Sequence, residues 1–255
     1  MAPTATRTKI EIPYPDALEP MLQLRLGPCR IRFAPSDGPM WIAGSYEDAT
    51  GALPIEVRPG PVTTIAQGFD LPTWTSFELP VLDLSVGRAR PFALEINAGA
   101  SETAFDLGGL PLARLVIKAG AGRFDVDFSE ANPVLMSLID LGAGAGAFSA
   151  RHLANANFAT LHMGGGIAAC TLDFAGELKG DAGARIDAGF GSIDVTVPAA
   201  TSAVVRTKAF AAAKHATGFI EKGDGYYTLP AVEGKRPLLS IDVSMAFGSL
   251  ALKTT

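Results

Sequence analysis

Three histidines occur in the chain, His152, His162 and His215, and no serine lies in a nucleophile-elbow motif, so a catalytic triad cannot be read from it. The constellation that could do acid–base chemistry is Asp140, His162 and Asp187. Paired carboxylates on an exposed strand face can serve as acid and base towards a polysaccharide. The competing reading is an ordinary solvated face, because outward residues of half-buried strands are polar whatever the function.

Other stretches resemble ligand loops and give way on inspection. HMGGGIAAC, His162 to Cys170, formally matches the dinucleotide fingerprint as Gly164-x-Gly166-x-x-Ala169, but strand-like residues follow it where a helix N-terminus should face the pyrophosphate. GFGSIDVTV, Gly189 to Val197, approaches a calcium-binding β-roll, yet those sites need a nine-residue period. Cys29 and Cys170 are far apart and without metal-ligand spacing, so they are expected to be reduced, packed thiols. No cofactor or metal is expected.

What would position the three polar residues is a repeat. In VIKAGAGRFDVDF, Val116 to Phe128, a small-residue tetrad, Ala119 to Gly122, separates two alternating apolar runs. Leu115 and Ile117 precede the corner at Gly120, and Phe124, Val126 and Phe128 follow it, all assigned to one face. The pattern recurs at Gly27, Gly99, Gly144, Gly164 and Gly189 and, with alanine for glycine, at Ala246. From Gly99 to Gly189 the corners lie 21, 24, 20 and 25 residues apart, the length of one coil of a β-solenoid. Stacking such coils in register predicts an outward column of Glu95, Val116, Asp140, Thr160 and Arg185 beside one of Asn97, Lys118, Gly142, His162 and Asp187. Asp106, Asp127 and Arg151 form a further outward charge ladder.

The fold class that follows is all-β, a β-solenoid (β-helix-like) stack of coils of about 20–25 residues with irregular β-rich flanks. We expect a single elongated domain over 1–255, with a β-rich part at 10–90, regular coils at 91–198, and an irregular coil and closing strands at 199–255. The early insertion, Ala34 to Pro91, carries Trp41 and Trp74 and reads as short strands that cap or flank the stack. KAFAAAKHA, Lys208 to Ala216, suits either a short helix or a degenerate coil. In GDGYYTLP, adjacent Tyr226 and Tyr227 should face opposite ways, one inward and one outward; an outward tyrosine could anchor a partner, and the competing reading is an end cap on the last coil.

Charged residues are 18% and hydrophobic ones 48%, with 28 glycines, which excludes a disordered chain and favours a turn-rich, packed one. A net charge of −5 without a basic run argues against nucleic acid. No window has the apolar length of a signal peptide core or a membrane span, so a cytoplasmic protein without a transmembrane segment is expected.

Three segments together resemble a known family. RPFALEINAGASETAFDLGGLPLARLVIKAGAGRFDVDF, Arg90 to Phe128, looks like the signature of the bacterial toast-rack domain, and LQLRLGPCRIRF, Leu22 to Phe33, matches the place of its first strand pair. The ending, Gly223 to Leu252, resembles the close of the related LiaF-like cell-wall-antibiotic response proteins. The resemblance implies a β-solenoid-like fold without a known active site and, in LiaF-type members, a role in sensing or restraining envelope-stress signalling alongside membrane helices. The expected function is thus a non-enzymatic scaffold or protein-interaction module. Its partner would be another protein, itself through solenoid ends or edges, or, peripherally, a membrane signalling protein. A carbohydrate-active enzyme using the outward polar face is the alternative.

Overall fold

A computed structural model describes residues 5–68, 78–166, 169–229 and 233–255; Trp74 lies outside the described residues. The first third of the chain supplies short strands, β1 (Thr6–Ile12), β2 (Met21–Leu26), β3 (Cys29–Ser36), β4 (Ile42–Asp48), β5 (Ile55–Arg58), β6 (Val62–Gln67) and β7 (Val81–Gly87). Long strands follow: β8 (Phe92–Asp106), β9 (Leu112–Asp127) and β10 (Met136–Arg151). The next rung is split into β11 (Phe158–Gly165) and β12 (Ala169–Asp173), and β13 (Ala182–Val197) is again continuous. The last are β14 (Ser202–Ala216), β15 (Ile220–Gly223), β16 (Tyr226–Thr228) and β17 (Leu238–Thr254).

Each long strand is one rung with two arms, and neighbouring rungs pair in parallel along both. The arms meet at the small-residue corner, and there the two-residue period breaks. In β10 the inward residues are odd-numbered before the corner, Ile139, Leu141 and Ala143, and even-numbered after it, Phe148 and Ala150. In β9 the period likewise switches between Ile117 and Phe124. The sequence expectation of one unbroken face is corrected here: a bend turns the second arm over, so that both arms face one interior. Across that interior Cys170 Sγ on one arm approaches Met163 Sδ on the other at 3.3 Å. Down the stack, Phe124 and Phe148 are register partners whose rings stack at 6.1 Å. Buried side chains from β1 through β17 form one continuous apolar cluster, the pattern of a β-solenoid.

The residue that must be glycine is two positions beyond the expected one. Gly122 and Gly146 have φ of +130° and +143°, and a Cβ on Gly146 would lie 2.1 Å from the Gly122 carbonyl oxygen. Gly191 and Gly248 hold the same place in β13 and β17. Gly120 and Gly144 are crowded against the rung before, whereas a Cβ on Gly189 would meet nothing within 4 Å. Gly164 is not a corner at all: it pairs with Gly142, and Gly166 packs over Gly144 instead. Gly27 does meet Gly99 across the join of β2 and β3 with β8, so the first copy stacks directly on the regular coils.

At the rim opposite the corners, asparagines close the turns. Buried Asn132 donates to the carbonyls of Leu112 and Ala156, at 2.8 and 3.2 Å, and Asn155 donates to that of Phe128 at 3.0 Å. These side chains tie successive turns to one another through main-chain carbonyls.

At the C-terminal end chain order and spatial order part. β13 pairs with β17, and β17 with β14, so the last strand lies between two that precede it. KAFAAAKHA is therefore strand, and β14 is an eighth rung that the glycine pattern did not reveal. Along the second arm of β14, Lys214 occupies the register position of the apolar column that runs through Ile193 and Leu250. Trp41, in the early insertion, is fully buried edge-on to Phe92. Among the described residues, no helix is long and apolar enough to cross a membrane.

Candidate functional site

The outward face of the first arms carries the charge constellation. β10 and β11 are in a register that sets His162 opposite Asp140, not beside it, and opposite Arg185 of β13 on the other side. The expected columns are thus corrected by a slip of two residues: Thr160 pairs with Leu138, and Gly164 takes the place between Gly142 and Asp187. The second column becomes Asn97, Lys118, Gly142, Gly164, Asp187.

That slip brings the three candidates into contact. His162 Nδ1 lies 3.1 Å from Asp140 Oδ1, and its Nε2 lies 3.5 Å from Asp187 Oδ2. Lys118 Nζ reaches Asp140 at 2.7 Å, and Arg185 Nε reaches Asp187 at 2.7 Å. Two glycines make the diagonals possible. A Cβ on Gly142 would stand 3.0 Å from Lys118 Cδ, and one on Gly164 would stand 3.4 Å from His162 Cε1. Gly164, expected at a corner, instead leaves room for the imidazole.

Both carboxylates are held below the usual carboxylate range. For Asp140, partial desolvation pushes upward but is outweighed by hydrogen bonds from Lys118 and His162. For Asp187 the hydrogen bond from Arg185 dominates. Both are therefore ionised at neutral pH, whereas a carboxyl that protonates a glycosidic oxygen needs its pKa raised. The carboxylates and the imidazole sit partly buried on an open face, Arg185 is exposed, and the contacts bridge four rungs.

The remaining candidates fall elsewhere. Asp106, Asp127 and Arg151 are register neighbours, with Arg151 Nη2 3.2 Å and His152 Nδ1 2.6 Å from Asp127. Tyr227 is buried in the core, while Tyr226 turns outward beneath the Arg206 guanidinium, 5.5 Å from its ring centre. Cys29 and Cys170 are buried free thiols, each pushed up to about 12 by desolvation. After Gly166 the chain resumes as β12, a strand, so the glycines do not open a helix towards a phosphate. Asp194, in the stretch likened to a calcium site, is engaged by Lys253 at 2.9 Å.

Sequence reasoning missed a group of aromatics. Phe190, Phe247 and Phe210 stand at the corners of β13, β17 and β14, with exposures of 69%, 49% and 88%. The signal was available: Phe190 and Phe247 occupy a corner position that is alanine at Ala100, Ala121 and Ala145.

Comparisons with known proteins follow the fold. Residues 71–146 match the family model of the N-terminal domain of toast-rack, DUF2154; this segment contains all of Arg90 to Phe128 and does not reach Leu22 to Phe33. A structure described as a putative cell adhesion protein from Clostridium sporogenes ATCC 15579 superposes with a TM-score of 0.50 at 15% identity, covering 99% of this chain and 100% of that one. A putative adhesin from Bacteroides fragilis NCTC 9343 superposes with a TM-score of 0.32 at 9% identity, over 98% and 97% of the two chains. No curated protein matches the chain. The likeness to the first structure is one of fold.

Proposed function

We propose, taking the toast-rack match over residues 71–146 as premise, that this chain is a non-enzymatic interaction module whose first-arm face docks a protein partner. The observation that carries the reading is the Lys118–Asp140–His162–Asp187–Arg185 network, in which contacts between rungs fix charges of both signs. Side chains ordered before binding lose little entropy on docking, and a fixed pattern of charge selects partners by complementarity. The reading treats residues 1–255 as one unit, supported by the apolar cluster that runs from β1 to β17. It favours the face over the C-terminal end, because Lys214 puts a charge in the apolar column where a second stack would have to continue.

The test is affinity capture from the native cell with wild-type chain and with a face variant, Lys118→Glu combined with Arg185→Glu. A control variant, Arg58→Glu, changes an exposed charge on β5. A partner retained by the control and lost with the face variant supports the reading. Capture that ignores the face variant would overturn it, and so would glycan hydrolysis by purified protein that Asp140→Asn abolishes.

A further inference from the structure

We propose that the corner formed by β13, β17 and β14 is a docking tip for an anionic lipid bilayer. This goes beyond the protein-binding face: it uses the end of the corner ridge, which adjoins that face at Asp187. Phe190 and Phe247 are register partners, and the rings of Phe247 and Phe210 meet edge-to-face with centres 6.2 Å apart. Two consecutive strands and the last strand, inserted between them, thus place three exposed phenylalanines at one end of the corner ridge. The rings are mounted on a cross-paired backbone that does not need to order itself on contact. Beside the tip lies an open hollow of about 620 Å³ bordered by Lys208, Phe210 and Met245, with Asp187, already paired to Arg185, at its far side.

Charge chooses the occupant. The whole chain is at −5, yet β14 carries Arg206, Lys208, Lys214 and His215 and no acidic residue. Among the described residues, neither Lys208 nor Lys214 forms an ion pair. Phe210 stands between these two exposed lysines on the outermost rung. Apolar rings at a tip with free cations close behind fit the boundary between acyl chains and anionic headgroups. The apolar groups enter the boundary while the lysines remain at headgroup level.

The experiment is flotation of the full chain with two kinds of vesicle, phosphatidylcholine alone and phosphatidylcholine with an equal part of phosphatidylglycerol. Binding is expected to the mixed vesicles and to weaken as salt is raised. Phe210→Ser should lower partitioning about tenfold and the triple variant with Phe190→Ser and Phe247→Ser at least about 100-fold, given the apolar area each ring would bury. Lys208→Gln with Lys214→Gln should cost about 25-fold, about fivefold for each charge. Asp224→Asn removes a carboxylate from the hairpin turn beside Thr207, at a positive φ that asparagine accepts, and should strengthen binding. The phenylalanines are exposed, so thermal midpoints should match wild type, and Phe210→Ser alone suffices if the triple variant does not fold. Failure to bind the mixed vesicles, or binding that the phenylalanine variants leave unchanged, overturns the proposal. It also fails if lipid-free sedimentation shows a dimer that the phenylalanine variants dissolve, because the tip would then be a contact between copies. The phenylalanine variants leave Lys118, Asp140, His162, Asp187 and Arg185 in place, so capture by the first-arm face is scored independently of them and the two proposals can fail separately.

Discussion

Replacing Gly146 by alanine should destabilise the protein severely, whereas the same change at Gly189 should not. Both glycines sit at corners and look alike in sequence, so the contrast tests the rung geometry directly. At Gly146 the backbone has φ +143°, which L-residues rarely adopt, and forcing a side chain there costs about 1–3 kcal/mol. The added Cβ would also lie 2.1 Å from the Gly122 carbonyl oxygen and 2.9 Å from the Gly122 nitrogen. Both are backbone atoms, so relief requires the rungs to separate and a ladder hydrogen bond to stretch, for a further loss of about 1–3 kcal/mol. The sum is about 2–6 kcal/mol. At Gly189 the same atom meets nothing within 4 Å, and φ is not in the positive range. There alanine should stabilise by about 0.4–1 kcal/mol through the entropy of the unfolded chain. Urea unfolding followed by far-ultraviolet circular dichroism reads both. With an m-value of about 3 kcal/mol per molar, Gly146→Ala should lower the midpoint by about 0.7–2 M, and Gly189→Ala should leave it unchanged or slightly raised. Equal midpoints for the two variants would refute the account of the corner.

Three further outcomes are expected. Asp140 and Asp187 have folded-state pKa values below their unfolded ones, so their contribution is present above the ordinary carboxylate range and lost as pH falls through the folded values. Asp140→Asn should flatten this acid limb in a series of thermal melts, and an unchanged limb would show that the network does not titrate as read. Lys214→Leu should extend the apolar column to the free edge of β14 and produce concentration-dependent association in analytical ultracentrifugation, if the lysine is what keeps a second stack away. Cys29 and Cys170, both buried with their thiols pushed up to about 12, should resist iodoacetamide in the native protein and react once it is unfolded. Alkylation at the native rate of a free thiol would place one of them at the surface.

The chain on its own determined the chemistry of each rung. Alternating apolar residues on either side of a small-residue corner fixed which side chains point inward in β8, β9, β10, β13 and β17, because burial of one face leaves no other assignment. It also announced the toast-rack segment and the membership of Asp140, His162 and Asp187 in one polar face. Three things were decided only in three dimensions. His162 lies opposite Asp140 because β11 is shifted by two residues from the expected alignment. A shift of one would have turned every side chain over and shown itself in the pattern, but a shift of two preserves the inward face and leaves no trace. The bend falls at Gly122 and Gly146, since several small residues in each corner could take it and only contact with the rung before selects one. β17 enters between β13 and β14 because the ladder joins backbone to backbone and carries no label for the strand that supplies it. That insertion brings Phe247 beside Phe190 and Phe210, so the phenylalanine tip exists only in the folded chain.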